Sequence, residues 1–250
     1  MKNLALILAL GSVFLFSNCQ KDEPETYWYS YGTYIKTSEG ASNFVIDLDD
    51  GTVLTPTQVA YIEEGVVDSS RVMVVYAIVS ETDSTVNAKV DKITGLLTKG
   101  VLQLTEENQD SIGNDGVIVT DDDIWFSENH LNVIFGYYYY NTKHFINLVK
   151  PIGNQFDEKG NQILEFRHND NNDYYNYSYS GIVSFDMWSL YEVGMDSLNF
   201  VFTAYDYDST KFSWEGTYHY GLQPVVSSPN FTHYKKQTSV EMPQSEIRFR

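Results

Sequence analysis

The sequence is poor in cysteine, in basic residues and in long hydrophobic runs. A single cysteine, Cys19, occurs in 250 residues, which excludes an intramolecular disulfide. Lys and Arg number 16 against 34 Asp and Glu, a net charge of −18. This balance argues against a nucleic-acid partner, because such partners are bound through neutralised phosphates. The apolar run over residues 4–16 is shorter than the about 20 residues that a membrane-spanning helix needs.

The N-terminal segment has the pattern of a secretory signal. Lys2 precedes the apolar run, and small or polar residues lead from it to Cys19. A lone cysteine at this place is suited to carry a thioether-linked diacylglycerol, and two or more acyl chains hold a protein on a membrane. We therefore predict a signal peptide over 1–18, a lipoprotein with palmitate-type chains on Cys19, and a tether over 19–26. The alternative is an ordinary signal peptide with a stray cysteine.

The four residues after Cys19 have the pattern of a second targeting signal. Gln20, Lys21, Asp22 and Glu23 resemble the acidic, lysine-containing export signal of Bacteroidetes surface lipoproteins. The resemblance implies a location on the outer membrane, anchored by lipid and facing the cell exterior. The expected membrane contact is therefore the lipid anchor alone.

The remainder predicts an all-β protein, since 20 Tyr and 14 Phe favour pleated sheets. In the block 27–100, five short strands and one longer connection fit a small Greek-key barrel. The Asp49-Asp50-Gly51 segment predicts a tight hairpin, and the continuous apolar run in the fourth strand predicts burial on both faces. The predicted strands are 27–36, 43–48, 52–55, 71–80 and 86–93, with the connection at 58–70.

A polar stretch over 98–115 predicts the boundary to a second domain, 116–250, with the longer strands of an antiparallel β-sandwich. Asn141-Thr142 predicts a two-residue hairpin between the first two of these strands. The predicted strands are 131–140, 143–150, 163–168, 181–187, 198–207 and 211–220, with a last strand near 240–249.

Several segments together resemble the NigD-like family. In the first half these are Tyr27-Trp28, Leu48-Asp49-Asp50-Gly51-Thr52 and Arg71-Val72; in the second they are Ile124-Trp125, Leu131–Phe135 and Lys143–Val149. The resemblance implies an OB-like five-stranded barrel followed by a β-sandwich, on Bacteroidetes lipoproteins. It also implies a binding module with a bacteriocin-immunity-like role.

Catalytic motifs are missing from the sequence. It has no His-Glu-x-x-His, no cysteine pair and no Gly-x-Ser-x-Gly. We therefore expect no enzyme activity, no catalytic residues, no metal and no cofactor, and an envelope protein or a bacteriocin as partner. His144 is interpreted as a histidine hydrogen-bonded at a sheet face.

A second hypothesis is a glycan-binding or glycan-cleaving accessory protein. Trp125 lies beside the carboxylates of 121–123 and Glu128, so it is a candidate for stacking on a sugar, with carboxylates for hydrolysis. The alternative is that Trp125 fills the junction between the two domains. The tyrosines of 137–140 and 174–179 favour either a carbohydrate platform or core packing.

The sequence also contains candidate segments for calcium binding and for O-glycosylation. The acidic segments 47–51 and 169–173 offer oxygen ligands for calcium, but turn chemistry explains both equally. Ser84, Ser111 and Ser209 each follow an aspartate in a pattern that resembles the Bacteroidetes O-glycosylation sequon. Ser197 has the same pattern but adjoins a buried strand.

Overall fold

The computed structural model describes residues 26–38 and 42–221, and nearly all of its secondary structure is strand. Five strands close into a barrel in the order β1-β2-β3-β5-β4, with β4 pairing back onto β1. This confirms the predicted five-stranded barrel. The strands are β1 (Trp28–Lys36), β2 (Phe44–Leu48), β3 (Val53–Ile62), β4 (Arg71–Glu81) and β5 (Thr85–Gly95).

The third barrel strand is longer than predicted. It continues from Thr55 to Ile62, so the connection begins after residue 62 rather than at 58. Most side chains of this extension are exposed, and backbone pairing with β5 holds it in the sheet. A bulge at Pro56 interrupts the register, as expected for a residue without an N–H. Hydrophobic alternation therefore gave no signal here.

The hairpin at Asp49-Asp50-Gly51 is confirmed. Gly51 has φ +86°, and Leu48 N donates to Thr52 O over 2.9 Å. The Asp50 carboxylate accepts from both the N–H and the hydroxyl of Thr52. Asp50 is thus occupied by the turn, which leaves Asp49 to point elsewhere.

Strand β4 is buried on both faces over residues 71–77, as predicted, whereas its last three residues, 79–81, are exposed. Val72, Val74 and Tyr76 pack into the barrel core. Arg71 and Met73 on the opposite face contact the second domain. The continuous apolar pattern has this physical cause: one face fills the barrel and the other lies under the sandwich.

Two sheets form the second domain, in the orders β14-β13-β11-β10-β7 and β6-β12-β9-β8. The sandwich is confirmed, although three of its strand pairs are parallel. Its core is rich in Phe, Val and Leu. The strands are β6 (Leu97–Gly100), β7 (Leu102–Gln103), β8 (Ile124–Ser127), β9 (His130–Tyr139), β10 (Phe145–Lys150), β11 (Gln162–Asn169), β12 (Tyr177–Asp186), β13 (Ser197–Tyr205) and β14 (Lys211–His219).

The predicted hairpin through Asn141-Thr142 is wrong. Strand β9 pairs with β8 and β12, whereas β10 pairs with β11 and β7 in the other sheet. The chain crosses between the sheets at residues 140–144. Both strands carry apolar residues for the same core, so their pattern does not distinguish a hairpin from a crossover.

The polar stretch 98–115 contains sheet structure as well as a turn-rich connection. Strands β6 and β7 pair with different sheets, and most of their side chains are exposed, which explains the missing hydrophobic signal. The helical segments are short: α1 (Gln109–Ile112) and two 3₁₀ turns, Asp121–Asp123 and Met187–Leu190. The predicted strand near 240–249 lies outside the described residues.

Candidate functional site

The predicted lipid and export residues, Cys19 and Gln20–Glu23, lie outside the described residues. Over 26–38 and 42–221, no helix has both the length and the apolar character needed to cross a membrane.

Trp125 lies at the junction of the two domains. Its exposed fraction is 2%, and its ring contacts Tyr31 of the barrel with a centroid separation of 5.6 Å. Its Nε1–H donates to Asp49 Oδ2 over 2.8 Å. A ring with 2% exposure presents no face to a sugar, so in this conformation Trp125 does not form a stacking platform.

Asp49 also forms a buried ion pair with Arg71. Arg71 Nη1 donates to Oδ1 over 2.7 Å and Nη2 to Oδ2 over 2.6 Å, and the two side chains are 1% and 5% exposed. Such bidentate pairing is the strong form of an Arg–carboxylate contact. Sequence reasoning placed Asp49 in a turn and in a candidate calcium segment. It did not pair Asp49 with Arg71, which lies 22 residues away along the chain.

Asn132 extends this network into the sandwich. Its Oδ1 accepts from Arg71 Nη2 over 3.1 Å and from Ser184 Oγ over 2.7 Å. Its Nδ2 donates to Ser127 Oγ over 2.9 Å. The buried arginine is therefore bound by both domains at once. We call the hydrogen-bonded group the junction network; its members are Asp49, Arg71, Trp125, Ser127, Asn132 and Ser184.

The two acidic segments proposed for calcium do not gather their side chains. In 47–51, Asp49 faces Arg71 and Asp50 caps the turn. In 169–173, Asp170 Oδ1 accepts from Asn172 N, and Asp173 turns inward. Within the described ranges, no group of three or more His, Cys, Asp or Glu side chains is arranged to hold a metal ion.

Two histidines form a hydrogen-bonded chain inside the sandwich. His168 Nδ1 lies 2.9 Å from Gly116 O, and its Nε2 lies 2.8 Å from His144 Nδ1. His144 Nε2 lies 3.2 Å from Asp173 Oδ2. Both rings are fully buried, and His144 precedes β10 by one residue. His144 is hydrogen-bonded, as predicted, but it lies just before the strand rather than within it, and its partners come from distant segments.

The ends of this chain decide which ring nitrogens donate. Burial lowers the pKa of His168 to about 4, so this ring is neutral near pH 7. Gly116 O only accepts, so the neutral His168 ring gives its Nδ1–H to Gly116 and accepts at Nε2. His144 therefore donates its Nδ1–H to His168, and its Nε2 faces the carboxylate of Asp173.

The Asp173 carboxylate also orders the segment where the chain crosses between sheets. Its Oδ2 accepts from Tyr140 N over 2.7 Å and from Asn141 N over 3.2 Å. Burial acts to raise the pKa of Asp173, but the backbone donors outweigh it and hold this pKa well below its usual range. One buried anion thus joins the end of β9 to the loop before β12.

Five tyrosines group on the surface beside this anion, and we call them the tyrosine face. Tyr138, Tyr175 and Tyr207 contact one another, with centroid separations of 4.8, 5.1 and 5.8 Å. Tyr140 and Tyr174 form an edge contact at 6.3 Å. Tyr174 and Tyr175 are 76% and 58% exposed. The sequence placed Tyr138 and Tyr140 in one strand, Tyr174 and Tyr175 in a loop, and Tyr207 at the end of another strand. Pairing of β9 with β12 brings the first strand and the loop together, and the Tyr207 hydroxyl accepts from Tyr138 N.

The remaining predicted residues lie on the surface without grouping. Ser84 is exposed in the β4–β5 turn, Ser111 in α1, and Ser209 in a turn at φ +66°. Of the candidate glycosidase carboxylates, Asp123 is occupied by a capping box with Thr120.

The topology defines a class: a two-domain all-β protein, an OB-type barrel followed by a β-sandwich. The NigD-like N-terminal OB domain matches residues 32–95, and the NigD-like C-terminal beta sandwich domain matches 100–215. The chain therefore belongs to the NigD-like family, which confirms the resemblance seen in the sequence.

Three crystal structures show the same fold. A protein from Parabacteroides distasonis described as toxin-related is 25% identical, with a TM-score of 0.63, over 78% of this chain and 94% of that one. A NigD-like immunity protein from Bacteroides caccae is 18% identical, with a TM-score of 0.57, over 79% and 98%. A Bacteroides fragilis protein described as a lipoprotein is 11% identical, with a TM-score of 0.53, over 79% and 100%. No curated protein matches the chain.

Proposed function

We propose that this chain is a non-enzymatic lipoprotein of the outer membrane, anchored through Cys19 and facing the cell exterior. It acts as a binding module for another protein. Support for the anchor comes from the signal-like segment before Cys19, the export-like residues after it, and the similar fold of a protein described as a lipoprotein.

The tyrosine face carries the binding part of this proposal. Exposed Tyr174 and Tyr175 supply rigid, amphipathic contact area, and the surrounding Asn and Asp supply adaptable hydrogen bonds, a combination typical of binding surfaces. The buried polar groups serve the fold instead. Arg71 and His144, for example, are held inside the protein with their partners.

The partner that we propose is a bacteriocin or another envelope protein. Support comes from the family, and from the shared fold of a NigD-like immunity protein and a protein described as toxin-related. The genes flanking this one in its genome provide a direct check. A neighbouring toxin exporter supports the immunity role, and a polysaccharide-uptake cluster contradicts it.

The anchor and its side of the membrane are tested in cells. Metabolic labelling with an alkyne palmitate analogue is expected to label the wild type and to leave Cys19→Ala dark. Surface-applied protease is expected to cleave the wild type, and replacement of Lys21, Asp22 and Glu23 by alanine is expected to protect it. A wild type that stays unlabelled contradicts the anchor; unchanged cleavage of the triple variant contradicts the export signal.

Glycan binding or cleavage is the second candidate, and the exposed aromatic rings of the tyrosine face favour binding. A glycan array tests it with the full chain in detergent. Oligosaccharide binding that is lost on Tyr174→Ala and retained on Trp125→Phe supports this function. Binding that is retained on Tyr174→Ala and lost on Trp125→Phe assigns the glycan site to Trp125 instead.

Glycosylation of this chain is a separate proposal. Ser84, Ser111 and Ser209 are exposed, which suits modification at the three sequons. Intact mass spectrometry of the mature protein tests it, with alanine variants at each serine. A mass equal to the lipidated polypeptide alone contradicts it.

A further inference from the structure

The tyrosine face borders a polar pocket of about 440 Å³. Asp115, which lines this pocket, precedes Gly116, and Gly116 packs closely against Tyr207: a Cβ there would lie 2.8 Å from Tyr207 Cγ. Tyr207 in turn contacts Tyr175 at a centroid separation of 5.1 Å. Burial raises the pKa of Tyr175, and the charges of Asp170 and Asp115 raise it further. The aromatic surface and the acidic pocket are therefore adjacent.

The pocket is negatively charged. Its lining includes Asp110, Asp115 and Asp170. Among the described residues that line it, Arg167 is the single cation, and its guanidinium is bonded to Glu165, with Nε to Oε2 at 2.9 Å. The charge of Arg167 is thus matched by Glu165, and no other cation among the described lining residues pairs with the three aspartates. Asp110 is exposed, whereas Asp170 is largely buried.

Internal hydrogen bonds hold the loop that carries the proposed site in one conformation without a ligand. Asp115 Oδ2 accepts from Asp170 N over 2.8 Å, which fixes the start of the loop. Asp173 Oδ2 accepts from Tyr140 N, which fixes the other side of the loop against the end of β9. Tyr207 OH accepts from Tyr138 N over 3.0 Å. A ligand therefore has little loop ordering to offset on binding.

We propose that the tyrosine face and the acidic pocket together bind a polypeptide segment that carries lysine or arginine. An ammonium or guanidinium group enters the pocket among the three aspartates, and the flanking chain lies on the tyrosine rings. Tyrosine faces attract cations through their quadrupole, and the carboxylates complement the same charge. This inference rests on the proposed function, because it names the chemistry of the protein partner.

Charge complementarity favours this occupant over the others. The chain has a net charge of −18, so a polyanion is repelled. A neutral sugar can stack on the rings and donate hydroxyl hydrogen bonds to the carboxylates, but it leaves their charge unmatched. Lys143 is not among the lining residues, and its ammonium lies 5.4 Å from the ring centroid of Phe145.

Isothermal titration calorimetry with the full lipidated chain in detergent micelles tests the proposal. The probe is a peptide of alternating lysine and glycine, with the fully acetylated peptide and a glutamate–glycine peptide as controls. We expect binding of the lysine peptide alone, weakened by raising the salt concentration, because exposed charges are screened. Equal binding of the acetylated peptide, or no binding of the lysine peptide at low salt, overturns the proposal.

Matched variants locate the site. Tyr174→Ala with Tyr175→Ala is expected to weaken binding by about tenfold or more. Tyr61→Ala, a 51% exposed tyrosine on the barrel, is expected to leave it unchanged. Asp110→Asn is expected to weaken binding by roughly threefold and to reduce its salt dependence, whereas Asp122→Asn, exposed and outside the pocket lining, does neither. Equal effects at Tyr61 and at Tyr174/Tyr175 overturn the assignment.

Two further sets of measurements distinguish failure of this inference from misfolding of a variant and from failure of the proposed function. Far-ultraviolet circular dichroism and thermal melting show whether each variant folds, so lost binding is not confused with lost structure. Labelling at Cys19 and surface proteolysis do not depend on peptide binding. A labelled, surface-exposed protein that ignores the lysine peptide overturns this inference alone, and oligosaccharide binding at Tyr174 and Tyr175 then assigns the face to a glycan.

Discussion

Asp49 of the barrel and Trp125 of the sandwich meet across the domain junction, with the indole Nε1 donating to the carboxylate Oδ2 over 2.8 Å. The same carboxylate receives both Nη atoms of Arg71. One buried anion therefore binds donors from two domains. We therefore expect the contacts at the junction to contribute to the free energy of unfolding of both domains.

Replacing Asp49 by alanine is expected to destabilise the protein strongly. The change leaves the guanidinium of Arg71, 1% exposed, without its counter-ion, and such a loss typically costs about 3–5 kcal/mol. The free energy of unfolding from urea titration measures it. Glu215→Ala, which breaks the exposed Lys159–Glu215 pair, is the control and is expected to change little. Equal losses for the two variants contradict the role of the junction network.

Trp125→Phe keeps a ring in the junction but removes the Nε1–H. We expect a loss of about 1–3 kcal/mol, because a hydrogen bond to a charged, buried acceptor is removed. Trp188→Phe is the matched control, since that indole is 42% exposed and donates to Asn129 on the surface. Differential scanning calorimetry is expected to show a lowered transition for Trp125→Phe only. A Trp188→Phe effect of the same size contradicts the prediction.

Stability is expected to fall between pH 6.5 and pH 4. Burial lowers the pKa of His130 to about 4, with the charge of Arg71 adding to it, and burial also lowers the pKa of His168 to about 4. In this window the unfolded chain binds protons that the folded chain does not, so the free energy of unfolding rises with pH. Each group contributes at most about 1.4 kcal/mol per pH unit.

Urea titrations across this pH window measure the slope. His130→Phe removes one of the two groups and is expected to make the slope shallower. His219→Phe, on the exposed end of β14, is the control. An unchanged slope for His130→Phe contradicts the assigned pKa.

Asp173→Asn tests the buried carboxylate at the end of the histidine chain. The change removes an anion that accepts from Tyr140 N and Asn141 N and lies 3.2 Å from His144 Nε2. We expect a lower melting temperature, because buried donors lose a charged acceptor. Asp157→Asn also removes a carboxylate that accepts backbone N–H groups, in the turn before β11, and serves as control. Equal shifts of the melting temperature for the two variants contradict the prediction.

Gly116→Ala tests how the tyrosine face is supported. A Cβ at this position would lie 2.7 Å from Tyr207 N, so the backbone that carries Tyr207 must shift. We expect a loss of about 1–3 kcal/mol, typical of overpacking, and weaker lysine-peptide binding. At Gly100 a Cβ meets Ser189 at an ordinary 3.5 Å, so Gly100→Ala is the tolerated control. Undisturbed stability in Gly116→Ala contradicts this close approach.

The sequence was most informative where side chains record their own burial. Strand β4 shows its two buried faces as a continuous apolar run, and Asp-Gly at 50–51 shows its turn because glycine tolerates a positive φ. It was least informative where only backbone pairing forms the strand. The extension of β3 and the edge strands β6 and β7 carry mostly exposed residues, so no periodicity marks them.

The amino-acid sequence by itself determined the all-β class and the family, and it is the basis of the proposed lipid anchor, because these depend on local composition and short motifs. Only the tertiary structure decided that β9 and β10 belong to different sheets, that Trp125 is buried against Asp49, and that His144 meets His168 and Asp173. These contacts join residues far apart in the chain. Their partners are chosen by chain crossing and strand order, which local hydrophobic patterns do not encode.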